Sequence, residues 1–201
     1  MEEQKSSVLH KVSRLTSDFF NPLVSLVIYF IYDSTINLTS TEAWQKFWPL
    51  LLFIILPIII WITWNVKVGK YTNMDVSDRN QRKSLYVFIE VCILIYLLFE
   101  YFFAQNIDLI LLFISVLLIL MQVSNFFIKS SMHTSFNVFV AALFFALNWK
   151  MGILWLAIAI LVGITRVILK RHTVKEVLMG SFIAILVSFV YLYTNIQITH
   201  S

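Results

Sequence analysis

Seven predominantly apolar stretches, separated by short polar connections, follow one another along this chain over residues 19–37, 44–65, 85–104, 107–127, 133–148, 150–168 and 177–195. A helix that crosses a bilayer needs about 17 to 25 such residues. The first stretch is interrupted by Asn21, Pro22 and Ser25. Overall, 60% of the 201 residues are hydrophobic and 13% are charged, against an apolar share of about 45 to 50% in ordinary soluble domains. A soluble fold is thereby excluded, and the expectation is an all-α polytopic membrane helical bundle of six to seven transmembrane helices.

The chain reads as a single integral membrane domain over 1–201, with a polar amino-terminal segment at 1–18 and no internal repeat. That segment lacks the basic start, short apolar core and small-residue cleavage site of a signal peptide, so the first apolar stretch is expected to be retained. Cys92 is the one cysteine and falls inside the third stretch. It reads as a buried free thiol, since a single cysteine forms neither an intrachain disulfide nor a cysteine metal site. Pro57 is expected to kink the second stretch. Trp44, Trp48, Trp61, Trp64 and Trp149 stand near the ends of stretches, as interfacial aromatics do.

With seven spans, an even number of crossings separates the polar connections at about 65–84, 129–133 and 170–176. All three then share one membrane face with the amino terminus. Of the 15 Lys and Arg residues, all except Lys46 and Lys150 fall on that face. The positive-inside rule places it in the cytoplasm. The chain is therefore expected in the cell membrane, multi-pass, with its polar clusters on the cytoplasmic side.

One of these connections carries chemistry. Thr165 to Gly180 reads TRVILKRHTVKEVLMG, in which His172 and Glu176 stand four apart. On a helix they share a face. A carboxylate there fixes the imidazole tautomer and stabilises the charge that develops when the other ring nitrogen attacks an electrophile. Arg166, at the end of the preceding span, offers a planar fork of donors to a phosphate. The same residues are also consistent with a simple basic turn at the membrane edge.

The pattern Thr165, Arg166, five residues, His172, three residues, Glu176 resembles the third motif of the type 2 phosphatidic acid phosphatase superfamily, membrane lipid phosphate phosphatases related in fold to vanadium haloperoxidases. The family motif has Ser where Thr165 stands and Asp where Glu176 stands, and a Gly often follows where Gly180 is. Ser130, Ser131, Met132 and His133 resemble the second motif, Pro-Ser-Gly-His, with the glycine replaced. The first motif, Lys, six residues, Arg-Pro, is met only by Arg82: Asp75 occupies the lysine position and Lys83 the proline position. Arg79 and Lys70 are candidate substitutes for the missing cation.

The resemblance implies a phosphatidic acid phosphatase type 2/haloperoxidase-like core, with the motifs spread over 66–180. It implies that His172 attacks phosphorus, Glu176 orients it, and His133 protonates the leaving oxygen. Arg166, Arg82 and Ser131 would hold the phosphoryl oxygens, with Arg79 and Lys70 in support. The implied activity is metal-independent and cofactor-free hydrolysis of a lipid-linked phosphate or diphosphate, of phosphatidate, phosphatidylglycerol phosphate or polyprenyl phosphate type, through a phosphohistidine. A neutral His172 acting beside a protonated His133 predicts a bell-shaped pH profile.

Phosphate transfer to an alcohol at the same site, or an inactive membrane scaffold or carrier, are the alternatives. The expected partners are a phosphorylated lipid and the bilayer, with no nucleic acid, and the sequence carries no sign of oligomeric state. Glu90 and Glu100, within the third stretch, are costly in a bilayer. Glu90 is expected to pair with an arginine, and Glu100 to snorkel to the interface.

Overall fold

The helix starts at Ser40, Arg79, Leu109, Met132 and Trp149 in the computed structural model fall where the sequence supplies a side-chain cap. The structure describes residues 2–76, 78–105 and 107–200, apart from the side chains of 2–7, 104, 199 and 200, so Lys5 among the counted cations lies outside the described side chains. The helices are α1 (Glu2–Phe19), α2 (Pro22–Asn37), α3 (Ser40–Leu50), α4 (Leu56–Lys67), α5 (Arg79–Ala104), α6 (Leu109–Ser124), α7 (Met132–Leu147), α8 (Trp149–Ile168) and α9 (Val174–His200). Thr39 and Glu42 close a capping box at α3. Asp78, Asp108, Ser131 and Asn148 each accept from a first-turn amide of α5, α6, α7 and α8 respectively. Each cap satisfies donors that would otherwise be orphaned at the helix start.

Among the described residues, four helical segments are long and apolar enough to cross a membrane: Ser40–Lys67, Arg79–Phe103, Trp149–Ile168 and Val174–Ile198. A fifth arises if Val8–Phe19 and Pro22–Asn37, bent by 55°, count as one broken span. The molecule is built as a multi-pass membrane protein, with fewer full-length spans than the six to seven expected. The stretches at 107–127 and 133–148 yield α6 and α7, of 16 residues each. At about 1.5 Å per residue they extend about 24 Å, short of a hydrocarbon core of about 30 Å. Their caps, Asp108 and Ser131, and the polar ends Asn125 and Asn148 stop them where hydropathy alone runs on.

The chain divides into two compact units, Met1–Asp33 with Phe126–Ser201, and Ser34–Asn125. In the first, α7 packs against both α8 and α9, and α1 packs against α8. Asn148 alone separates α7 from α8, its amide donating back to Phe144 and its side chain capping the next helix. A one-residue turn makes the two helices antiparallel neighbours. Their shared core holds Phe139, Val140, Leu143, Phe144, Ala159 and Val162, all at most 1% exposed. Residues 2–18, polar in sequence, lie in helix α1.

In the second unit, α3 and α4 are continuous through a π-turn at Leu51–Ile55, where the Leu56 amide donates to Leu51. Pro57 follows directly, so its missing N–H is absorbed by a widened turn rather than a break. Trp61 stacks on Phe88 with ring centroids 4.2 Å apart and donates to the Tyr71 hydroxyl. Trp44, Trp48, Trp64 and Trp149 are exposed, as interfacial anchors would be, whereas Trp61 is tied into the unit. Cys92 is a buried free thiol.

Candidate active site

Arg166, His172 and Glu176 are arranged by two consecutive backbone signals, the stop of α8 and the start of α9. At the stop, Lys170 takes a left-handed conformation, φ 54°. Its amide donates to Val167, and the Arg171 amide donates to the Arg166 carbonyl at 3.1 Å. This pair of bonds is a Schellman motif, ordinarily built on glycine. The His172 amide also donates to the Arg166 carbonyl, at 3.2 Å. His172 is thus carried back over the end of α8 and held there by its own backbone.

At the start of α9, Thr173 and Glu176 form a capping box. The Glu176 amide donates to Thr173 Oγ1 at 3.3 Å, and the Thr173 amide donates to Glu176 Oε2 at 3.1 Å. That same Oε2 lies 2.9 Å from His172 Nδ1. The expectation that His172 and Glu176 share a helical face needs correcting. His172 precedes α9, and Glu176 reaches it because the third residue of a capping box folds back toward the chain entering the helix. The His172 side chain is fully shielded from solvent.

Glu176 also fixes the neighbouring helix, because the Ser131 amide donates to its carbonyl at 3.1 Å. Gly180, one turn further along α9, permits this approach. A Cβ there would lie 2.6 Å from Ser135 Oγ and 3.0 Å from both the amide nitrogen and the carbonyl oxygen of Ser131. His133, in the first turn of α7, is 8% exposed. Lys129, from the connection before α7, donates to the Arg171 carbonyl at 3.1 Å. The starts of α7 and α9 and the end of α8 therefore meet, and these three ends carry Ser131, His133, Arg166, His172 and Glu176.

The hydroxyls of Ser131 and Thr165 have local partners. Ser131 Oγ caps α7 and lies 3.0 Å from Thr134 Oγ1, and its residue is fully buried. Thr165, in the place of the family serine, donates its hydroxyl to the Val162 carbonyl at 2.7 Å and does not face the His172 turn through that bond.

Arg82, Arg79 and Lys70 belong to the other unit. Arg82 is 2% exposed and its Nε donates to the Val76 carbonyl. Val76 itself has φ 45°, a strained conformation for a β-branched residue. Arg79 Nε donates to the Asn125 carbonyl at 2.7 Å while Asn125 Nδ2 donates to the Arg79 carbonyl, a reciprocal clamp between the start of α5 and the end of α6. Lys70 lies exposed beyond α4. Glu90 accepts from Ser115 Oγ at 2.6 Å, a serine in α6 where an arginine was expected, and Glu100 accepts from Tyr96. Among the described residues no group of three or more His, Cys, Asp or Glu is placed to hold a metal ion.

Residues 121–198 match the PAP2 superfamily. The chain carries a PAP2 superfamily domain. No curated protein and no solved structure matches the chain. The PAP2 domain runs from the end of α6 into α9, so it takes in Ser131, His133, Arg166, His172 and Glu176. It leaves outside α1 and the connection that bears Lys70, Arg79 and Arg82.

Two residues that touch the PAP2 site region are not apparent from its motifs. Ser17 of α1 accepts from Arg166 Nη1 at 3.0 Å. Asn137, one turn along α7 from His133, donates to the carbonyls of His133 and Phe20, both at 2.8 Å, and accepts from Ser25 and Trp155. A lone asparagine inside an apolar run was the available signal, since a polar side chain in a bilayer needs partners.

Proposed function

We propose that the chain is a membrane phosphatase that hydrolyses a lipid-linked monophosphate or diphosphate through a phosphohistidine at His172. The observation that carries this reading is the 2.9 Å contact between His172 Nδ1 and Glu176 Oε2. A carboxylate on Nδ1 places the ring proton there and leaves the Nε2 lone pair as the nucleophile. The match of residues 121–198 to the PAP2 superfamily supports this reaction class.

In the first step a bond forms from Nε2 to phosphorus as the phosphorus bond to the lipid oxygen breaks, and His133 supplies the proton to that oxygen. Water then attacks the phosphohistidine, His133 takes its proton, and inorganic phosphate leaves. Arg166 neutralises the phosphoryl oxygens, since phosphoryl transfer rests mainly on placement and charge stabilisation. Ser131 contributes by holding the start of α7 in register with Glu176.

The site lies at the end of the first unit that carries Lys129, Lys170, Arg171 and Lys175, whereas Lys150 marks the other end. This asymmetry supports a cytoplasmic site. In a Cys92→Ser background, an impermeant thiol reagent applied to intact cells is expected to label Asn195→Cys and spare Lys175→Cys. The opposite pattern places the site outside.

The deciding assay is phosphate release by the purified chain in mixed micelles from dioleoyl phosphatidate, dioleoyl phosphatidylglycerol phosphate and a polyprenyl diphosphate. At least one lipid is expected to turn over, with His172→Ala and His133→Ala inactive. Unchanged turnover in both variants removes the mechanism. Turnover only when an alcohol acceptor is added reassigns the site to transfer.

A further inference from the structure

Within the described part of α1, Ser13 and Ser17 are the buried positions, at 2% and 0% exposure, while Val8, Val12, Leu15 and Phe19 are all more than half exposed. The helix turns its small hydroxyls inward against α8, while its outward face mixes these apolar residues with the exposed His10, Lys11, Arg14 and Asp18. Small residues where two helices meet let their backbones approach closely. Ser13 and Ser17 are one turn apart on the same face. Ser17 Oγ accepts from Arg166 Nη1 at 3.0 Å, across 149 residues of sequence. Both residues are at most 2% exposed.

An arginine that binds a phosphoryl group must present its fork at a set angle, and a guanidinium has five N–H groups to direct. The backbone carbonyl of Arg166 is already held by the Arg171 and His172 amides, so its main chain is tied to the nucleophile's turn. Its side chain is long, and Ser17 supplies a fixed point at the terminal nitrogen. We propose that Ser17 is a positioning residue for Arg166, which makes the amino-terminal helix a working part of the phosphate site although it lies outside the PAP2 domain. This rests on the phosphatase reading above and deepens it. Bond formation at Nη1 helps orient the remaining donors toward the phosphoryl oxygens, and loss of the bond relaxes that orientation.

The test compares Ser17→Ala, Ser17→Cys, Ser17→Thr and Ser13→Ala in the full chain, with the lipid found to turn over. Cysteine keeps the size of serine but is a weak acceptor. Ser17→Ala and Ser17→Cys are expected to lower kcat/KM about tenfold, the size of a lost hydrogen bond to a charged group. Most of the loss should appear as a higher KM, with a matching rise in the inhibition constant of inorganic phosphate. Ser17→Thr should restore both. Ser13→Ala should leave both unchanged, which a general loosening of the α1 packing would not do. Wild-type KM in Ser17→Cys, or an equal defect in Ser13→Ala, overturns the role of Ser17 while leaving the phosphatase reading intact. An inactive wild type, or His172→Ala as active as wild type, removes that reading and the role of Ser17 with it.

Discussion

Glu176 serves His172 and the start of α9 with a single oxygen: Oε2 is 2.9 Å from His172 Nδ1 and 3.1 Å from the Thr173 amide. Orientation of the candidate nucleophile and capping of the helix are therefore separable by substitution. Glu176→Gln keeps an oxygen for the amide but loses the charge that stabilises the imidazole as it reacts. It is expected to reduce kcat about a hundredfold or more while the melting temperature falls little. Thr173→Ala removes the hydroxyl half of the box and is expected to cost about 1 kcal/mol of stability with a far smaller loss of kcat. Steady-state phosphate release and thermal melts in detergent distinguish the two, and equal kcat in Glu176→Gln and wild type would contradict the role given to the carboxylate.

Gly180 is required by a backbone approach. A Cβ would lie 2.6 Å from Ser135 Oγ and 3.0 Å from the Ser131 main chain, and the last of these neighbours cannot rotate away. Gly180→Ala must push α9 off the start of α7 or tilt it. A loss of about 1 to 3 kcal/mol is expected from such overpacking. The displacement also moves Glu176 relative to His133, so activity should fall in step. A melting temperature unchanged in Gly180→Ala would show that the two helices do not pack as described.

Lys170 is strained at φ 54°. A non-glycine residue in that conformation costs about 1 to 2 kcal/mol. Glycine removes the strain but adds about 0.4 to 1 kcal/mol of unfolded-state entropy. The first figure exceeds the second, so Lys170→Gly is expected to stabilise by about 0.5 kcal/mol and to leave phosphate release near wild type. A drop in melting temperature would indicate that the lysine side chain contributes more than its backbone costs.

The local parts of this site are readable because short-range signals build them. Thr173 and Glu176 form a capping box at standard spacing, and Arg166 to His172 is the length of a helix stop followed by one residue. Helix lengths are less readable. Hydropathy counts apolar residues but not the caps that end α6 and α7, and those caps decide that both are shorter than a bilayer. Partners far apart in sequence are not readable at all from local pattern. Ser17 meets Arg166 across 149 residues and Ser25 meets Asn137 across 112, and nothing next to any of the four in sequence marks the pairing. Lys83 and Asp75 break the first motif, and the bonds of Arg79 to Asn125 and of Arg82 to Val76 are equally unmarked by it.

Asn137 is fully buried, and its amide group has four partners. It ties the break between α1 and α2, through Phe20 and Ser25, to α7 beneath His133 and to Trp155 of α8. Within a membrane protein each such bond contributes about 0.6 kcal/mol on average. Asn137→Leu is therefore expected to destabilise by about 2 kcal/mol. Asn137→Asp should cost more, because a carboxylate accepts from Ser25 and Trp155 but cannot donate to the carbonyls of Phe20 and His133. An unpaired carbonyl facing a buried charge is worse than one facing a methyl group. The order of melting temperatures is then wild type, Asn137→Leu, Asn137→Asp. If aspartate proves the milder change, the two donated bonds are not what holds the break in place.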